Sequence, residues 1–201
     1  MTDLFDQPDD AATPLTPEEK DGLIPSYIAT RGELNEAEQA NILDAQRWAL
    51  TRKREVLDVR FLLQLHKRMF GDVWNWAGKF RLTERNIGIN PYQIGPELRR
   101  LIDDARYWLE HDTFPPDELV ARFHHRLVLI HPFPNGNGRH GRLAADLLAR
   151  QLGRPPFSWG AGDLIGTGEI RKRYVAALRS ADSHDFGPLL NFIRSGTNKG
   201  G

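Results

Sequence analysis

The sequence predicts an all-α fold, a compact helical bundle with one small β-hairpin. Apolar residues recur at intervals of three and four positions through most of the chain, which is typical of amphipathic helices. Strict alternation of apolar and polar residues is confined to two short runs within residues 80–89. The chain has 201 residues, of which 40% are hydrophobic, and this is enough for one domain with its own core.

The predicted helices follow from the apolar periodicity. An early helix is predicted to begin at Asn35, whose side chain would cap it while Glu38 completes a capping box. Further helices are predicted over about residues 117–130, 137–152, 168–181 and 186–194. The periodicity is clearest in two segments, one formed by Val59, Leu62, Leu63, His66, Met69 and Phe70 and the other by Leu98, Leu101, Ile102, Ala105, Trp108 and Leu109.

The run FRLTERNIGI departs from this helical pattern. Phe80 and Leu82 alternate with polar residues before a polar loop, and Ile87 and Ile89 alternate after it. The pattern predicts a small β-hairpin, although an ordinary surface loop is an alternative. The strand edges of such a hairpin would either be covered by the chain itself or accept a strand from a partner.

The two ends of the chain differ in composition from its middle. Residues 1–22 are acidic and interrupted by proline, so we predict a mobile arm there, and residues 196–201 are predicted to form a flexible tail. Between them we predict an N-terminal helical extension, residues 23–57, followed by the main domain, residues 58–195.

Composition restricts the possible functions. The 27 basic residues balance the 27 acidic ones, so no overall basic field favours nucleic acid, and the absence of cysteine excludes disulfides and thiolate chemistry. No apolar run has membrane-spanning length, and the N-terminus lacks the basic and apolar regions of a secretory signal. These features predict a cytoplasmic protein with neither a membrane partner nor a direct nucleic-acid partner.

The segment HPFPNGNGRHGR, residues 131–142, predicts a site for an anion. Pro132 should end the preceding helix at His131, and the glycines allow a sharp turn into a new helix. Free N–H groups at the start of that helix favour an anion, and Arg139 and Arg142 are one helical turn apart, so both could grip phosphate oxygens. The segment is therefore interpreted as a polyphosphate-binding loop.

Histidines surround this loop. His131 lies beside the predicted phosphate site and has the side chain best suited to accept a proton near neutral pH. Phe133 is predicted to be a buried anchor, and His124, on an apolar helix face, is predicted to support the loop through a hydrogen bond. A metal site using His124, His125 and His140 is the weaker interpretation, because no HExxH-type spacing occurs and no cysteine is available.

These residues closely resemble the signature HPFx(D/E)GNGRxxR of the Fic/Doc (Fido) family, whose members are compact helical domains. The resemblance extends over about residues 58–195 and includes WAGKFR, FHHRLVLIHPF and RKRYVAALRSADSHDFGPLLNFI. Together with GLIPSYIATRGELNEAEQANI, it resembles the branch called mobile mystery protein B, found in mobile elements beside a helix-turn-helix partner. The resemblance implies a Fic-type bundle in which the hairpin is a flap.

The resemblance also implies a reaction, protein adenylylation. His131 would be the general base that deprotonates a Ser, Thr or Tyr hydroxyl of a target protein, and that hydroxyl would attack the α-phosphorus of ATP. The flap would hold the target segment by strand addition. Its residues would be Thr83, Glu84, Arg85, Asn86, Ile87 and Gly88.

The family's phosphate contacts can be transferred by motif position. Gly136, Asn137 and Gly138 would form the anion hole, and Arg139 and Arg142 would hold the outer phosphates. In the kinase-like branch of the family, lysine occupies the position of Gly138. The resemblance therefore implies that glycine here favours the orientation of ATP that transfers AMP.

Asn135 departs from the signature, in which an acidic residue ligates Mg²⁺. ATP is expected as co-substrate with Mg²⁺ or Mn²⁺, but an amide oxygen is a poorer ligand than a carboxylate, which predicts weaker metal dependence or lower turnover. A catalytically silent nucleotide-binding regulatory module is therefore one alternative. A transferase of another phosphate-containing group, such as a kinase, is the second.

Many members of the family are restrained by a helix bearing [S/T]xxxE[G/N]. Only Thr51 and Glu55 have this spacing here, and Val56 follows where glycine or asparagine belongs. The sequence therefore does not predict self-inhibition, and restraint by a neighbouring partner or by the N-terminal arm is a hypothesis.

Overall fold

The computed structural model describes residues 14–161 and 168–195, and over these ranges the protein is mostly helical. This confirms the predicted all-α class. The α-helices are α1 Pro17–Lys20, α2 Arg31–Leu50, α3 Val59–Phe70, α4 Ile94–Glu110, α5 Pro116–Ile130, α6 Asn137–Gln151, α7 Glu169–Asp182 and α8 Gly187–Arg194, with short 3₁₀ helices at Pro91–Gln93 and Trp159–Ala161.

Helix α2 begins earlier than the sequence predicted. Thr30 is its N-cap: the Thr30 side chain accepts from the Glu33 N–H at 3.3 Å, and the Glu33 carboxylate accepts from the Thr30 N–H at 2.9 Å. This capping box satisfies the first N–H groups of the helix four residues ahead of the predicted start. The predicted cap at Asn35 is therefore wrong, and Glu38 lies buried inside the helix.

The core is built around the central helices. Helix α3 packs against α2, α4 and α6, and α5 packs against α4, α6 and α8. Gly141 permits the close approach of α5 and α6, because a Cβ there would lie 3.0 Å from Val128 Cγ2. The loop between α5 and α6 is thus held by two tightly packed helices.

The predicted β-hairpin at residues 80–90 is not seen, since no strand forms in the part of the chain that the structure describes. The two arms of this segment are joined by a side chain instead of a backbone ladder. The Arg81 guanidinium donates to the carbonyl oxygens of Thr83 and Ile89, one on each arm. In a half-buried strand the apolar Leu82 would be buried and the polar Arg81 exposed. The structure shows the reverse, with Leu82 exposed and Arg81 buried.

Residues 14–24, mostly within the predicted mobile arm, pack on the domain. The Glu19 carboxylate pairs with Arg85, and the Glu19 carbonyl accepts from Trp76 Nε1 at 3.0 Å. The Ile24 N–H donates to the Val73 carbonyl at 2.8 Å. Residues 1–13 of that arm and the predicted tail lie outside the described residues. Across residues 14–161 and 168–195, the helices include none long and apolar enough to cross a membrane.

Candidate active site

The site is centred on the loop between α5 and α6. Helix α5 ends at His131, whose backbone adopts the left-handed conformation with φ 53°. Pro132 cannot continue the hydrogen-bond ladder, so the chain leaves the helix here. His131 thus lies at the exit of α5, five residues before the N-cap of α6.

Helix α6 presents an uncapped N-terminus to this loop. Its N-cap is Gly136, with φ 78°, and because glycine has no side chain it cannot cap the first N–H groups. A Cβ at Gly136 would lie 2.6 Å from the Phe70 ring, so the position has no room for a larger residue. The N–H groups and the helix dipole at this end favour an anion.

The loop is braced from inside by Asn137 and Phe133. Asn137 Oδ1 accepts from the Phe133 N–H at 2.9 Å, and Asn137 Nδ2 donates to the Phe133 carbonyl at 2.8 Å. Phe133 is fully buried and stacks on His66 with ring centroids 3.7 Å apart. The side chain of Asn137 thus holds the loop, and only its backbone remains for an anion.

His66 is a residue of the site that sequence reasoning missed. Gly78 N–H donates to its Nδ1 at 3.0 Å, so the ring proton is on Nε2, which donates to the Asn135 carbonyl at 3.0 Å. Burial, reinforced by the nearby His140, holds the pKa of His66 well below its ordinary value and keeps the ring neutral. The sequence feature that could have identified His66 is its place, as a polar residue, within the apolar face of α3.

Arg139 forms an ion pair with the buried Glu38 of α2. Arg139 Nη1 lies 2.6 Å from Glu38 Oε2, and the other oxygen, Oε1, accepts from Trp74 Nε1 at 2.7 Å. The guanidinium also lies over the Phe70 ring, 4.8 Å from its centroid. Sequence reasoning missed Glu38 as a site residue, because the two partners are 101 positions apart.

Arg142 is held by Tyr174 of α7. It is half-buried and hydrogen-bonded to the Tyr174 hydroxyl, which shares a second hydrogen bond of 2.9 Å with His124 Nε2. A Cβ at Gly138 would lie 3.5 Å from Arg142 Nη1, so the guanidinium stays beside the loop. The loop therefore has one arginine held by a carboxylate and another held by a phenol.

The electrostatics around His131 keep it neutral. The residue is 8% exposed. Burial, followed by the positive charge of Arg81, lowers the pKa of His131 from 6.5 to about 4, while a hydrogen bond with the Val128 backbone opposes the shift. At pH 7 the imidazole is unprotonated and can accept a proton.

Of the predicted flap residues, Gly88 lies against His131. A Cβ at Gly88 would be 2.6 Å from His131 Cβ, and Gly88 has φ 107°, so this contact requires glycine. Thr83, Glu84 and Asn86 are exposed, whereas Arg85 is largely covered by its ion pair with Glu19.

The protein residues around Asn135 do not by themselves suit a divalent cation. Asn135 Oδ1 accepts from the Gly136 N–H at 2.6 Å, and its carbonyl is held by His66. Within residues 14–161 and 168–195, no group of three histidine or acidic side chains is placed to bind a metal ion. Magnesium prefers carboxylate and phosphate oxygens, and this donor set offers neither.

Comparison with known proteins identifies the domain. Residues 56–149 match the Fic/DOC family. The protein adenylyltransferase fic-1 of Caenorhabditis elegans is 30% identical over 152 residues, a match that covers 72% of this chain and 28% of that protein. The protein adenylyltransferase Fic of Drosophila sechellia is 34% identical over 150 residues, with 71% and 28% covered. The chain thus spans less than a third of the length of these curated relatives.

Solved structures agree with this assignment. A fragment of C. elegans Fic-1 is 27% identical and superposes with a TM-score of 0.65, covering 87% of this chain and 51% of that one. The Bartonella tribocorum effector BepC, solved with bound AMPPNP, has a TM-score of 0.64 at 19% identity, with 89% and 97% covered, and shows the fold alone. By its sequence match, its helical fold and its loop, this chain belongs to the Fic/DOC family.

Proposed function

We propose that the protein transfers AMP from ATP to a hydroxyl group of a target protein. The observation that supports this most directly is the position of His131, a neutral and nearly buried base at the end of α5, five residues before the uncapped start of α6. Curated relatives at 30% and 34% identity are protein adenylyltransferases. The same geometry fits a reaction in which a base acts next to a bound triphosphate.

The proposed chemistry begins with a proton transfer. His131 accepts the proton of a Ser, Thr or Tyr hydroxyl, and the resulting oxygen attacks the α-phosphorus. A new oxygen–phosphorus bond forms to the target, and the bond from the α-phosphorus to the bridging oxygen breaks. Pyrophosphate leaves with that electron pair, and the histidine retains the proton until it is released to solvent.

The phosphates are proposed to bind along the start of α6. Backbone N–H groups of Gly136, Asn137 and Gly138 would face the charge that develops during the reaction. Arg139 and Arg142 would contact the outer phosphates, which requires Arg139 to leave Glu38. Phosphoryl transfer depends mainly on positioning and charge stabilisation, and these groups would supply the protein's share of both.

Magnesium is proposed to arrive with ATP as part of the co-substrate. The phosphate oxygens supply the ligands that the loop lacks, and Asn135 contributes at most a weak amide contact. The residues Thr83–Gly88 are proposed to hold the target segment beside His131. We place the target hydroxyl between Gly88 and the anion site.

A paired labelling experiment tests this function. Purified protein is incubated in cell lysate with ATP that carries a label on either the α- or the γ-phosphate. Transfer from the α-position only, lost in His131→Ala and retained in His111→Ala, is the expected result, because His111 is exposed and distant in sequence from the loop. Transfer from the γ-position only would instead identify a kinase.

The ion pair between Glu38 and Arg139 favours a second candidate, a silent nucleotide-binding module. In this state one phosphate-binding arginine is occupied by the protein's own carboxylate. Binding of AMPPNP without transfer of either label, in wild type and in Glu38→Gln alike, would select this candidate over the transferase.

A further inference from the structure

Arg81 is the largest buried charged side chain beside His131, and the reaction described above gives it no role. Its relative exposure is 1%. In the described part of the chain, its guanidinium donates hydrogen bonds to three backbone carbonyl oxygens. Burying a charge is costly unless its hydrogen bonds are satisfied, so this arrangement needs the surrounding backbone to be held in one geometry.

One side of Arg81 holds the exit of α5. Its Nε donates to the His131 carbonyl at 2.7 Å, and its backbone N–H donates to the Pro132 carbonyl at 2.9 Å. These carbonyls belong to the two residues at which the chain leaves the helix. The left-handed backbone of His131 is unfavourable for a residue with a Cβ, so it depends on such contacts.

The other side of Arg81 holds the flap segment. Nη1 donates to the Thr83 carbonyl at 2.8 Å, and Nη2 donates to the Ile89 carbonyl. These carbonyls lie at the two ends of the segment that carries the proposed target-docking residues. Gly88 completes the contact, because a Cβ there would meet both His131 Cβ at 2.6 Å and Arg81 Nη2 at 2.8 Å.

We infer that Arg81 is a positioning residue that fixes the base His131 and the target-docking segment relative to each other. This inference rests on the proposed function. A target segment held on the flap presents its hydroxyl to His131 only if the two are in register, and a displacement of about 1 Å is enough to lower a rate about a hundredfold. Arg81 contacts both parts directly, through the carbonyl of His131 on one side and those of Thr83 and Ile89 on the other.

Arginine suits this role for a geometric reason. Its planar fork carries five N–H donors and can reach carbonyl groups in three directions, whereas a lysine ammonium is a single compact charge. Arg81→Lys therefore keeps the charge near His131 while removing the simultaneous contacts. The matched control is Arg99→Lys, since Arg99 is exposed on α4.

The first measurement separates positioning from nucleotide binding. In Arg81→Lys we expect transfer of the α-phosphate label to fall about tenfold to a hundredfold, while the dissociation constant for AMPPNP changes less than about twofold. Arg99→Lys should match wild type in both. A loss of AMPPNP affinity in step with the loss of transfer, or full transfer in Arg81→Lys, would overturn the inference.

The second measurement does not depend on activity. The histidine ring signals are recorded by NMR, and that of His131 is assigned by its absence in His131→Ala. We expect the chemical shift of this signal to change in Arg81→Lys and to be unchanged in Arg99→Lys. The chemical shifts of the His66 and His140 signals should not change in either variant. An unmoved His131 signal rejects the role of Arg81, even if wild type transfers no label and the proposed function fails.

Gly88→Ala provides an independent variant if Arg81→Lys does not fold. The added methyl group would contact His131 and Arg81 from the exposed flap, and no core side chain is removed. The same signature is expected, with transfer lost, the His131 signal shifted and AMPPNP binding retained. Wild-type transfer and an unmoved signal in this variant would contradict the coupling.

Discussion

Glu38 Oε2 and Arg139 Nη1 lie 2.6 Å apart in a partly buried ion pair that joins α2 to the start of α6. The Glu38 side chain is 5% exposed, so water screens this attraction little. In the proposed reaction the same guanidinium binds a phosphate of ATP. The carboxylate and the phosphate therefore compete for one arginine. The ion pair with Glu38 should accordingly lower the affinity for ATP.

Replacing Glu38 should raise the affinity for ATP. In Glu38→Gln the amide oxygen still accepts from Trp74 Nε1, but the charge that holds Arg139 is gone. We expect ATP affinity and α-label transfer to rise about tenfold, equivalent to ~1.4 kcal/mol. Titration with AMPPNP and the labelling assay measure the two effects.

The control for this prediction is Glu36→Gln, an exposed position on the same helix. It removes one negative charge without touching Arg139 and should leave both quantities unchanged. Equal or weaker AMPPNP binding in Glu38→Gln would show that the ion pair supports the site instead of restricting it.

The pH dependence of transfer should report the environment of His131. The base works only when unprotonated, and burial with the charge of Arg81 places its pKa at about 4. We expect kcat/KM, which reflects the free enzyme, to be flat from about pH 6 to pH 8 and to fall only as the pH approaches that value. Bound triphosphate adds negative charge and should raise the pKa of His131, so kcat should begin to fall at a higher pH.

Initial rates at saturating and limiting ATP across this pH range test the prediction. Arg99→Lys should reproduce the wild-type profile. If kcat and kcat/KM fall at the same pH, or if kcat/KM already falls near pH 6.5, the result would argue against a buried His131 in the free enzyme.

Buried histidines should also make the fold sensitive to acid. Burial lowers the pKa of His124 to about 3 and of His140 to about 4, from 6.5. The unfolded chain then binds more protons than the folded one, so the stabilisation is complete above pH 6.5 and is lost as the pH falls toward the folded values. Each such histidine contributes a slope of up to ~1.4 kcal/mol per pH unit in this window.

Urea unfolding at pH 7, 6 and 5 measures this effect. His140→Asn should reduce the pH dependence of the free energy of unfolding, even though it removes a 2.9 Å hydrogen bond with the Leu62 carbonyl. His111→Asn alters an exposed histidine and should leave the slope unchanged. An identical slope in His140→Asn and wild type would mean that His140 titrates normally in the folded state.

The sequence patterns predicted the helices well where local spacing determines them. The apolar periodicity from Val59 to Phe70 coincides with α3, because this spacing gives the helix one continuous buried face. The β-hairpin was wrong because alternation over a few residues cannot show that the Arg81 side chain replaces a ladder. Glu38 was missed as a site residue, since its contact with Arg139 depends on how α2 and α6 pack.

The structure also sharpens the effect expected from Asn135→Asp. Asn135 Oδ1 accepts from the Gly136 N–H at 2.6 Å, and one oxygen of an aspartate can keep this bond. The second carboxylate oxygen then becomes available as a charged ligand for the Mg²⁺ that accompanies ATP. We expect the Mg²⁺ concentration for half-maximal transfer to fall and the rate to rise about tenfold.

The matched control is Asn191→Asp, which adds the same charge at an exposed position on α8, outside the proposed nucleotide and target sites. If both variants change the rate alike, the effect comes from the added charge and not from ligation at position 135. An unchanged Mg²⁺ dependence in Asn135→Asp, measured by α-label transfer over a Mg²⁺ titration, would mean that the metal is held by the phosphates alone. Because the aspartate keeps the turn into α6, a lost rate with intact AMPPNP binding would instead show that a neutral residue is needed beside the anion site.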